Sequence, residues 1–222
     1  MTRIAIVGGH GQIARQLHPM LLGAGHQPLA LVRRREQADA LEASGVETRM
    51  LDIESDDVEG FTAAFEGCDA VVFAAGGGPD GNIDRKRTVD LEGSLKSIEA
   101  ARAAGIRRFV QVSAIDVDEP VADDASPVWK AYVVAKRDAD AALRDSGLDW
   151  TILRPGRLTD EPGTGRVSLG TTVGRGDIPR ADVAEVVAAV LQDPASVGHQ
   201  WNVVGGSTAV PDAVADAARG SH

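Results

Sequence analysis

The sequence predicts an α/β fold in which a parallel β-sheet carries helices on both of its faces. Six short, almost wholly apolar runs recur along the chain, as expected of strands buried on both sides: residues 4–7, 29–32, 70–73, 109–112, 150–153 and 201–204. Amphipathic helical patterns separate these runs. Strands that alternate with helices form right-handed βαβ units. We therefore expect one doubly wound domain over residues 1–218.

The helical patterns and a weaker strand follow in chain order. One stripe of apolar side chains marks the first helix: Ile13, Leu17, Met20 and Leu21. Gly23 and Gly25 end that helix. Residues 46–51 form a weaker member of the strand series. A late helix has the same kind of stripe and closes at Pro194: Val183, Val186, Val187, Val190 and Leu191.

The stretch 159–178 differs in composition from the rest of the chain, because glycine occupies five of its positions. We expect residues 157–178 to form a loop or small cap on the substrate side of the sheet, where binding residues commonly lie. A disordered surface excursion is the alternative. Residues 219–222 read as the remnant of an expression tag, so we assign His222 no role.

Composition limits the classes of partner. The chain has 33 acidic and 23 basic residues, a formal net charge of −10, so a nucleic-acid backbone would be repelled. No apolar run approaches the ~20 residues that span a bilayer. The first residues lack the long apolar region and the small-residue cleavage site of a signal peptide, so we do not expect secretion. Cys68 is the one cysteine, which suits a reducing cytoplasm, and the five histidines show no zinc-ligand spacing. We expect a cytoplasmic monomer or homodimer that acts on a small molecule, without a metal, nucleic acid or membrane.

A glycine-rich turn joins the first strand to the first helix. Residues 8–14 read Gly-Gly-His-Gly-Gln-Ile-Ala, the spacing G-x-x-G-x-x-A. A dinucleotide pyrophosphate binds to bare backbone at a helix N-terminus, as in Rossmann-type domains. Gly8 would make the tight turn, Gly11 would admit the phosphates, and the neighbours His10, Gln12 and Ile13 would complete the site. A plain strand-to-helix turn, with His10 facing solvent, is the alternative.

Three arginines follow the second strand. A domain that binds NAD usually carries an acidic residue there, which holds the ribose 2′-hydroxyl. Guanidinium groups such as those of Arg33 and Arg34 suit a 2′-phosphate instead. The sequence therefore favours NADP(H) over NAD(H). A solvated first turn of the second helix is the alternative.

Tyr132 and Lys136 lie four residues apart in a helical pattern, so their side chains share one helix face. Tyr132 is the chain's one tyrosine. A neighbouring ammonium group and the positive ring of a bound nicotinamide would stabilise the phenolate, lower the phenol pKa from near 10 and suit it to acid/base work. The alternative is that Tyr132 only packs and Lys136 is a surface charge.

These motifs resemble the short-chain dehydrogenase/reductase superfamily, specifically its small atypical branch near the NmrA-like and epimerase-like proteins. The resemblance covers nearly the whole chain. It implies further cofactor contacts at the ends of later strands: Asp52, Ile53, Ala74, Ala75, Gly76, Pro155 and Gly156. Of these, the resemblance places Asp52 against the adenine and the Pro-Gly pair beside the nicotinamide. A helix cap is the alternative reading of Asp52.

The resemblance also implies four catalytic positions, namely Ser113, Tyr132, Lys136 and Asp90. Asp90 stands where the superfamily has an asparagine, and an ionised carboxylate accepts hydrogen bonds but cannot donate them. An ordinary helix position is the alternative for Asp90. In the superfamily's pattern Lys136 would also hold the nicotinamide ribose, and Ser113, at the end of the fifth strand, would orient a substrate oxygen.

The function implied is NADP-dependent hydride transfer to or from a small carbonyl or hydroxyl carbon, by a reductase or an epimerase. Tyr132 would act as the acid/base group. Two other functions remain open. One is an NADP-sensing regulatory protein of the NmrA type, without turnover. The other is a flavin or tetrapyrrole reductase that does not need the tyrosine.

Overall fold

The computed structural model describes residues 1–78 and 81–220, and in this part of the chain eleven strands form two sheets. Ser221 and His222, assigned above to a tag, lie outside the described residues. The strands are β1 (Arg3–Val7), β2 (Gln27–Val32), β3 (Glu47–Met50), β4 (Ala70–Phe73), β5 (Arg108–Val112), β6 (Asp149–Pro155), β7 (Arg157–Thr159), β8 (Arg166–Gly170), β9 (Asp177–Pro179), β10 (His199–Gly205) and β11 (Thr208–Ala209).

Helices connect most of the strands. They are α1 (Gln12–Gly23), α2 (Arg35–Glu42), α3 (Val58–Ala64), α4 (Ile83–Arg85), α5 (Gly93–Ala103), α6 (Pro127–Arg144), α7 (Arg180–Gln192) and α8 (Val210–Ala218). A π-helical segment, Lys86–Glu92, joins α4 to α5, and a short 3₁₀ turn, Pro194–Ser196, follows α7. No helix in the described ranges is both long and apolar enough to cross a membrane.

The main sheet has the order β11-β8-β10-β6-β5-β4-β1-β2-β3. The seven strands from β10 to β3 are parallel to their neighbours, whereas β8 is antiparallel to both β10 and β11. The order β3-β2-β1-β4-β5-β6 is that of a Rossmann-type sheet. The predicted fold class is therefore confirmed.

Alternate side chains of the central strands enter cores on opposite faces of the sheet. In β1, Ile4 and Ile6 pack with α1 and α7, whereas Ala5 and Val7 pack with the layer formed by α3, α5 and α6. Both sets of side chains are fully buried, which explains why the strand has no polar alternation. This double burial fixes the sheet between two helical layers.

The chain reverses its winding direction between β1 and β4, which are neighbours in the sheet. Connections that leave these two strands diverge to opposite sides, and this opens a crevice at the carboxyl edge. The glycine-rich turn follows β1 and residues 74–76 follow β4. The fold thus places both predicted cofactor segments at the crevice.

Residues 157–178 contain more regular structure than a loop. β7 pairs with β9 in a separate parallel sheet, and β8 extends the edge of the main sheet. Val167 and Leu169 are buried, whereas Arg166 and Ser168 are exposed, the alternation of a strand with one covered face. The small β7–β9 sheet lies next to the carboxyl end of β6.

Candidate functional site

The turn between β1 and α1 has a backbone that only glycine adopts easily. Gly8 has a φ of +80°, and a Cβ atom on it would lie 2.8 Å from the Cα atom of Ala75. Gly11 donates its N–H to the Gly8 carbonyl at 2.8 Å. No side chain of the described residues caps the first turn of α1. The amide groups at this helix N-terminus are therefore available to an anion.

A buried histidine supports the turn from behind. His18 Nε2 lies 2.7 Å from the carbonyl oxygen of Gly9 and donates to it. Burial lowers the pKa of His18, which keeps the ring neutral, and the hydrogen bond to Gly9 offsets this only in part. The motifs in the sequence did not identify this residue. Its signal was a histidine beside the apolar stripe of α1.

A cleft of about 230 Å³ opens beside the turn at the carboxyl ends of β1 to β4. It brings together nine predicted cofactor residues: Gly8, His10, Gly11, Arg33, Asp52, Ile53, Ala74, Ala75 and Gly76. Burial lowers the pKa of His10, and the nearby charges of Arg15 and Arg34 lower it further. A neutral His10 can therefore face a phosphate or ribose as a hydrogen-bonding group.

Three predicted cofactor residues lie near the turn but do not line the cleft. Ile13 packs into the core, and Gln12 Nε2 donates to Asp160 Oδ1 at 3.3 Å. Arg34 stands at the N-terminus of α2, where its backbone N–H donates to the Gln37 side chain at 3.3 Å. The contribution of Gln12 and Ile13 would come from their backbone amides.

The far end of the cleft holds a carboxylate between two arginines. Glu54 Oε2 lies 3.7 Å from Arg33 Nη1 and 3.4 Å from Arg85 Nε. Thr88 Oγ1 donates to the other Glu54 oxygen at 2.8 Å. Asp52 Oδ1 accepts the Glu54 N–H at 3.0 Å, so Asp52 both caps a turn and lines the cleft. The sequence motifs identified Arg33 but missed Glu54, in the loop after β3, and Arg85, at the end of α4.

A second cavity, of about 1160 Å³, lies at the carboxyl ends of β5 and β6. Four predicted residues line it: Ser113, Tyr132, Pro155 and Gly156. A Cβ atom on Gly156 would lie 2.1 Å from the carbonyl oxygen of Gly176, so glycine is also required there for the approach of the 157–178 segment. We call this cavity the tyrosine cavity.

Asp90, Tyr132 and Lys136 meet at the wall of the tyrosine cavity. Lys136 Nζ lies 3.2 Å from Asp90 Oδ1 and 5.9 Å from the centre of the Tyr132 ring. It donates to the Val112 carbonyl at 3.2 Å. Asp90 also accepts the Gly77 N–H at 2.9 Å. Asp90 and Lys136 are buried, so this ion pair lies behind the half-buried phenol.

Lys136 alone does not lower the tyrosine pKa in this geometry. Burial raises the pKa of Tyr132 above 10.0, Lys136 only partly offsets it, and the charges of Asp90 and Asp140 raise it further. Burial alone would lower the pKa of Lys136, but Asp90 and Tyr132 outweigh burial and raise it. The Asp90 carboxylate thus neutralises the ammonium group. Tyr132 is a protonated phenol at neutral pH.

Ser113 belongs to a buried hydrogen-bond network. Its Oγ donates to Asp140 Oδ2 at 2.8 Å, and the same carboxylate accepts from Gln111 Nε2 at 2.7 Å and from Arg154 Nε at 2.9 Å. Burial raises the pKa of Asp140, against the lowering effect of Arg154 and these hydrogen bonds. The predicted serine is therefore fixed in place, with its oxygen lone pairs left to accept. The sequence motifs missed Asp140, which lies one helical turn beyond Lys136.

Comparison with known proteins agrees with this geometry. Residues 8–194 match the sequence profile of a family described as NAD(P)H-binding. The uncharacterized sugar epimerase YhfK of Bacillus subtilis (strain 168) is 39% identical over 213 residues, 96% of this chain and 98% of that protein.

Two solved structures are similar along their whole length. One is a provisionally assigned NAD-dependent epimerase/dehydratase from Bacillus halodurans. It is 37% identical, with a TM-score of 0.90 over 97% of this chain and 100% of that one. The oxidoreductase ylbE from Lactococcus lactis is 27% identical, with a TM-score of 0.84 over 99% of this chain and 98% of that one.

Proposed function

Because this chain belongs to the NAD(P)H-binding family, whose relatives include epimerase-like and oxidoreductase proteins, we propose that it is an NADP-dependent reductase of a small carbonyl compound. One observation carries the proposal. The phenol of Tyr132 lines the tyrosine cavity in its protonated form, beside Ser113 and next to the crevice that begins at the glycine turn. A protonated acid is the form that reduction of a carbonyl group requires.

The cleft suits an NADP molecule along its length. Gly8 and Gly11 would hold the pyrophosphate on backbone amides, as the tight glycine turn and the uncapped helix allow. Arg33 would hold the 2′-phosphate, and Asp52 would lie beside the adenine. Pro155 would border the nicotinamide end, in the tyrosine cavity. When bound, the reduced nicotinamide supplies a hydride.

The residues of this chain supply the proton and the position of the substrate. Tyr132 would donate its phenolic proton to the carbonyl oxygen as the carbonyl carbon gains the hydride, and solvent would then reprotonate the phenolate. Lys136, held by Asp90 and Val112, would stabilise the phenolate during that interval. Ser113 would accept a hydrogen bond from the product hydroxyl group, because its own O–H donates to Asp140. The product is the corresponding alcohol.

An epimerase that works by transient oxidation needs the phenolate as a base in its first step. Burial and Asp90 both oppose that form. Carbonyl reduction instead starts from the protonated phenol, the form that these two effects favour. Reduction is therefore the reaction that this site supports best.

Replacement of Tyr132 by phenylalanine tests the proposal. NADPH oxidation is followed with a panel of aldehydes and ketones, and NADPH affinity is measured in parallel. We expect Tyr132→Phe to lose about 10²- to 10⁴-fold in turnover, with NADPH affinity unchanged. Turnover that survives the substitution would refute the role of Tyr132. NADPH binding without oxidation of any compound in the panel would point to the sensing function instead.

A further inference from the structure

The tyrosine cavity has a basic lining, although the chain as a whole is acidic. The net charge of the chain is −10. Among the described residues that line this cavity, the basic side chains outnumber the acidic ones: Lys86, Arg157, Arg175 and Arg180 against Asp116 and Asp177. A local excess of positive charge in an acidic protein attracts anions to that place.

The arginines at the cavity mouth are already neutralised. Each has a carboxylate partner: Arg157 with Asp177, Arg175 with Asp116, and Arg180 with Asp160. The guanidinium groups of Arg157 and Arg175 are largely exposed, and ion pairs at the surface contribute little to the stability of the fold. These residues form a polar rim.

Lys86 is in a different situation. The residue is only 7% exposed, yet it lines the cavity. Its Nζ donates to the Gly78 carbonyl at 2.5 Å and lies 5.7 Å from the centre of the Tyr132 ring. Within the described ranges, no carboxylate forms an ion pair with it. A buried ammonium group with a single carbonyl acceptor keeps two N–H donors without a strong partner.

The local helix geometry explains why the neighbouring carboxylate does not serve Lys86. Lys86 and Asp90 are both buried in the π-helical segment, which packs against α6. Asp90 is committed to Lys136 and to the Gly77 amide. Single π-helical turns are frequent at functional sites. Tyr132 thus has a neutralised cation, Lys136, behind it, and in front of it a cation that no carboxylate of the described residues neutralises.

We propose that Lys86 binds an anionic group of the substrate, a carboxylate or a phosphate that lies close to the reacting carbonyl carbon. This inference rests on the proposed function insofar as it takes the tyrosine cavity as the substrate site. Lys86 lies against the ring of Tyr132, so the anion it holds is adjacent to the group that donates the proton. Neutral carbonyl compounds of the same size leave the ammonium group uncompensated, and the site discriminates against them.

Trp129 provides a reporter for the test. Its ring lies 5.5 Å from that of Tyr132, it lines the same cavity, and half of its surface is exposed. Its fluorescence is titrated with inorganic phosphate, with acetate and with acetamide, at constant ionic strength, both with and without saturating NADP⁺. Subtraction of the signal from Trp129→Phe isolates the reporter. Acetamide has the shape of acetate but no charge.

We expect saturable binding of phosphate or acetate and none of acetamide. Lys86→Met should weaken anion binding by at least about tenfold, the loss expected for a charge-assisted hydrogen bond. Lys86→Arg, which keeps the positive charge, should retain anion binding. The matched control is Lys130→Met, because Lys130 is partly exposed on α6, does not line the cavity and donates to the Asp123 carbonyl. It should bind as the wild type does.

Equal anion binding by Lys86→Met and the wild type would overturn the proposal, and so would equal binding of acetamide and acetate. If Lys86→Met does not fold, Lys86→Gln replaces it with the same criteria. The stronger of the two anions identifies the substrate group as a phosphate or a carboxylate. Anion binding that depends on Lys86, together with no NADPH oxidation by any compound, would refute the reductase function and leave the anion site standing.

Discussion

Replacement of Asp90 by asparagine isolates the electrostatics of the Tyr132–Lys136 pair. Asp90 Oδ1 lies 3.2 Å from Lys136 Nζ, and both side chains are buried. The carbonyl oxygen of the introduced amide can still accept the Gly77 N–H, so the loop keeps its hydrogen bond while the charge is removed. Lys136 then acts on Tyr132 without a neighbouring counter-charge.

The size of the effect follows from the distance between Asp90 and the phenol. Asp90 Oδ1 lies 3.2 Å from Lys136 Nζ, which lies 5.9 Å from the centre of the Tyr132 ring, so the carboxylate oxygen is at most about 9 Å from that centre. At an effective dielectric constant of about 20, the carboxylate then repels a phenolate by at least about 1.8 kcal/mol, which corresponds to more than about one pKa unit. Because this repulsion raises the tyrosine pKa in the wild type, removal of the Asp90 charge lowers it. We expect the Tyr132 pKa to fall by about one to two units in Asp90→Asn.

The measurement is a spectroscopic titration of the phenol. Tyr132 is the one tyrosine of the chain, so the ultraviolet absorbance of phenolate reports this group alone. Asp138→Asn is the matched control, because Asp138 is exposed on α6 and pairs with Arg137. Asp90→Asn should also destabilise the fold, by about 3–5 kcal/mol, since it leaves a buried ammonium group uncompensated. A Tyr132 pKa that stays constant or rises in Asp90→Asn would refute the reasoning.

Two further predictions concern the cofactor cleft. Arg33→Ala should weaken NADPH binding by at least about tenfold and should hardly change NADH binding. Fluorescence titration measures both affinities, and equal losses of the two would reject a contact between Arg33 and the 2′-phosphate. His18 has a folded-state pKa below its ordinary 6.5, so the unfolded chain takes up the proton first as the pH falls and the native state loses stability below about pH 6.5. Urea unfolding should show this loss in the wild type and a smaller one in His18→Gln, which retains a donor for the Gly9 carbonyl; parallel pH profiles would contradict it.

The central strands could be predicted because each is buried on both faces and therefore apolar throughout. β8 was missed because only Val167 and Leu169 carry its alternation, and glycines surround them. A short alternating pattern of this kind does not distinguish an edge strand from a loop. The segment joins the main sheet through pairing with β10, a contact that local sequence does not encode.

The glycine turn was predictable because a backbone that must turn tightly after a strand and leave its amide groups open to an anion requires glycine at these positions. The direction of the Tyr132 pKa shift was not, since it depends on where Asp90 lies relative to Lys136. Lys86 was missed for the same reason: its proximity to Tyr132 comes from the packing of the π-helical segment on α6. Spacing along a helix predicts which side chains share a face, but the pairing of charges from different elements requires the fold.

Calorimetric titration of the wild-type chain with NADPH addresses the cofactor cleft without any substitution. We predict one saturable site per chain, with tighter binding of NADPH than of NADH, because backbone amides at the turn of Gly8 and Gly11 and the guanidinium group of Arg33 face the same cleft. No detectable heat with either coenzyme, in folded protein, would contradict the account of both the cleft and the tyrosine cavity.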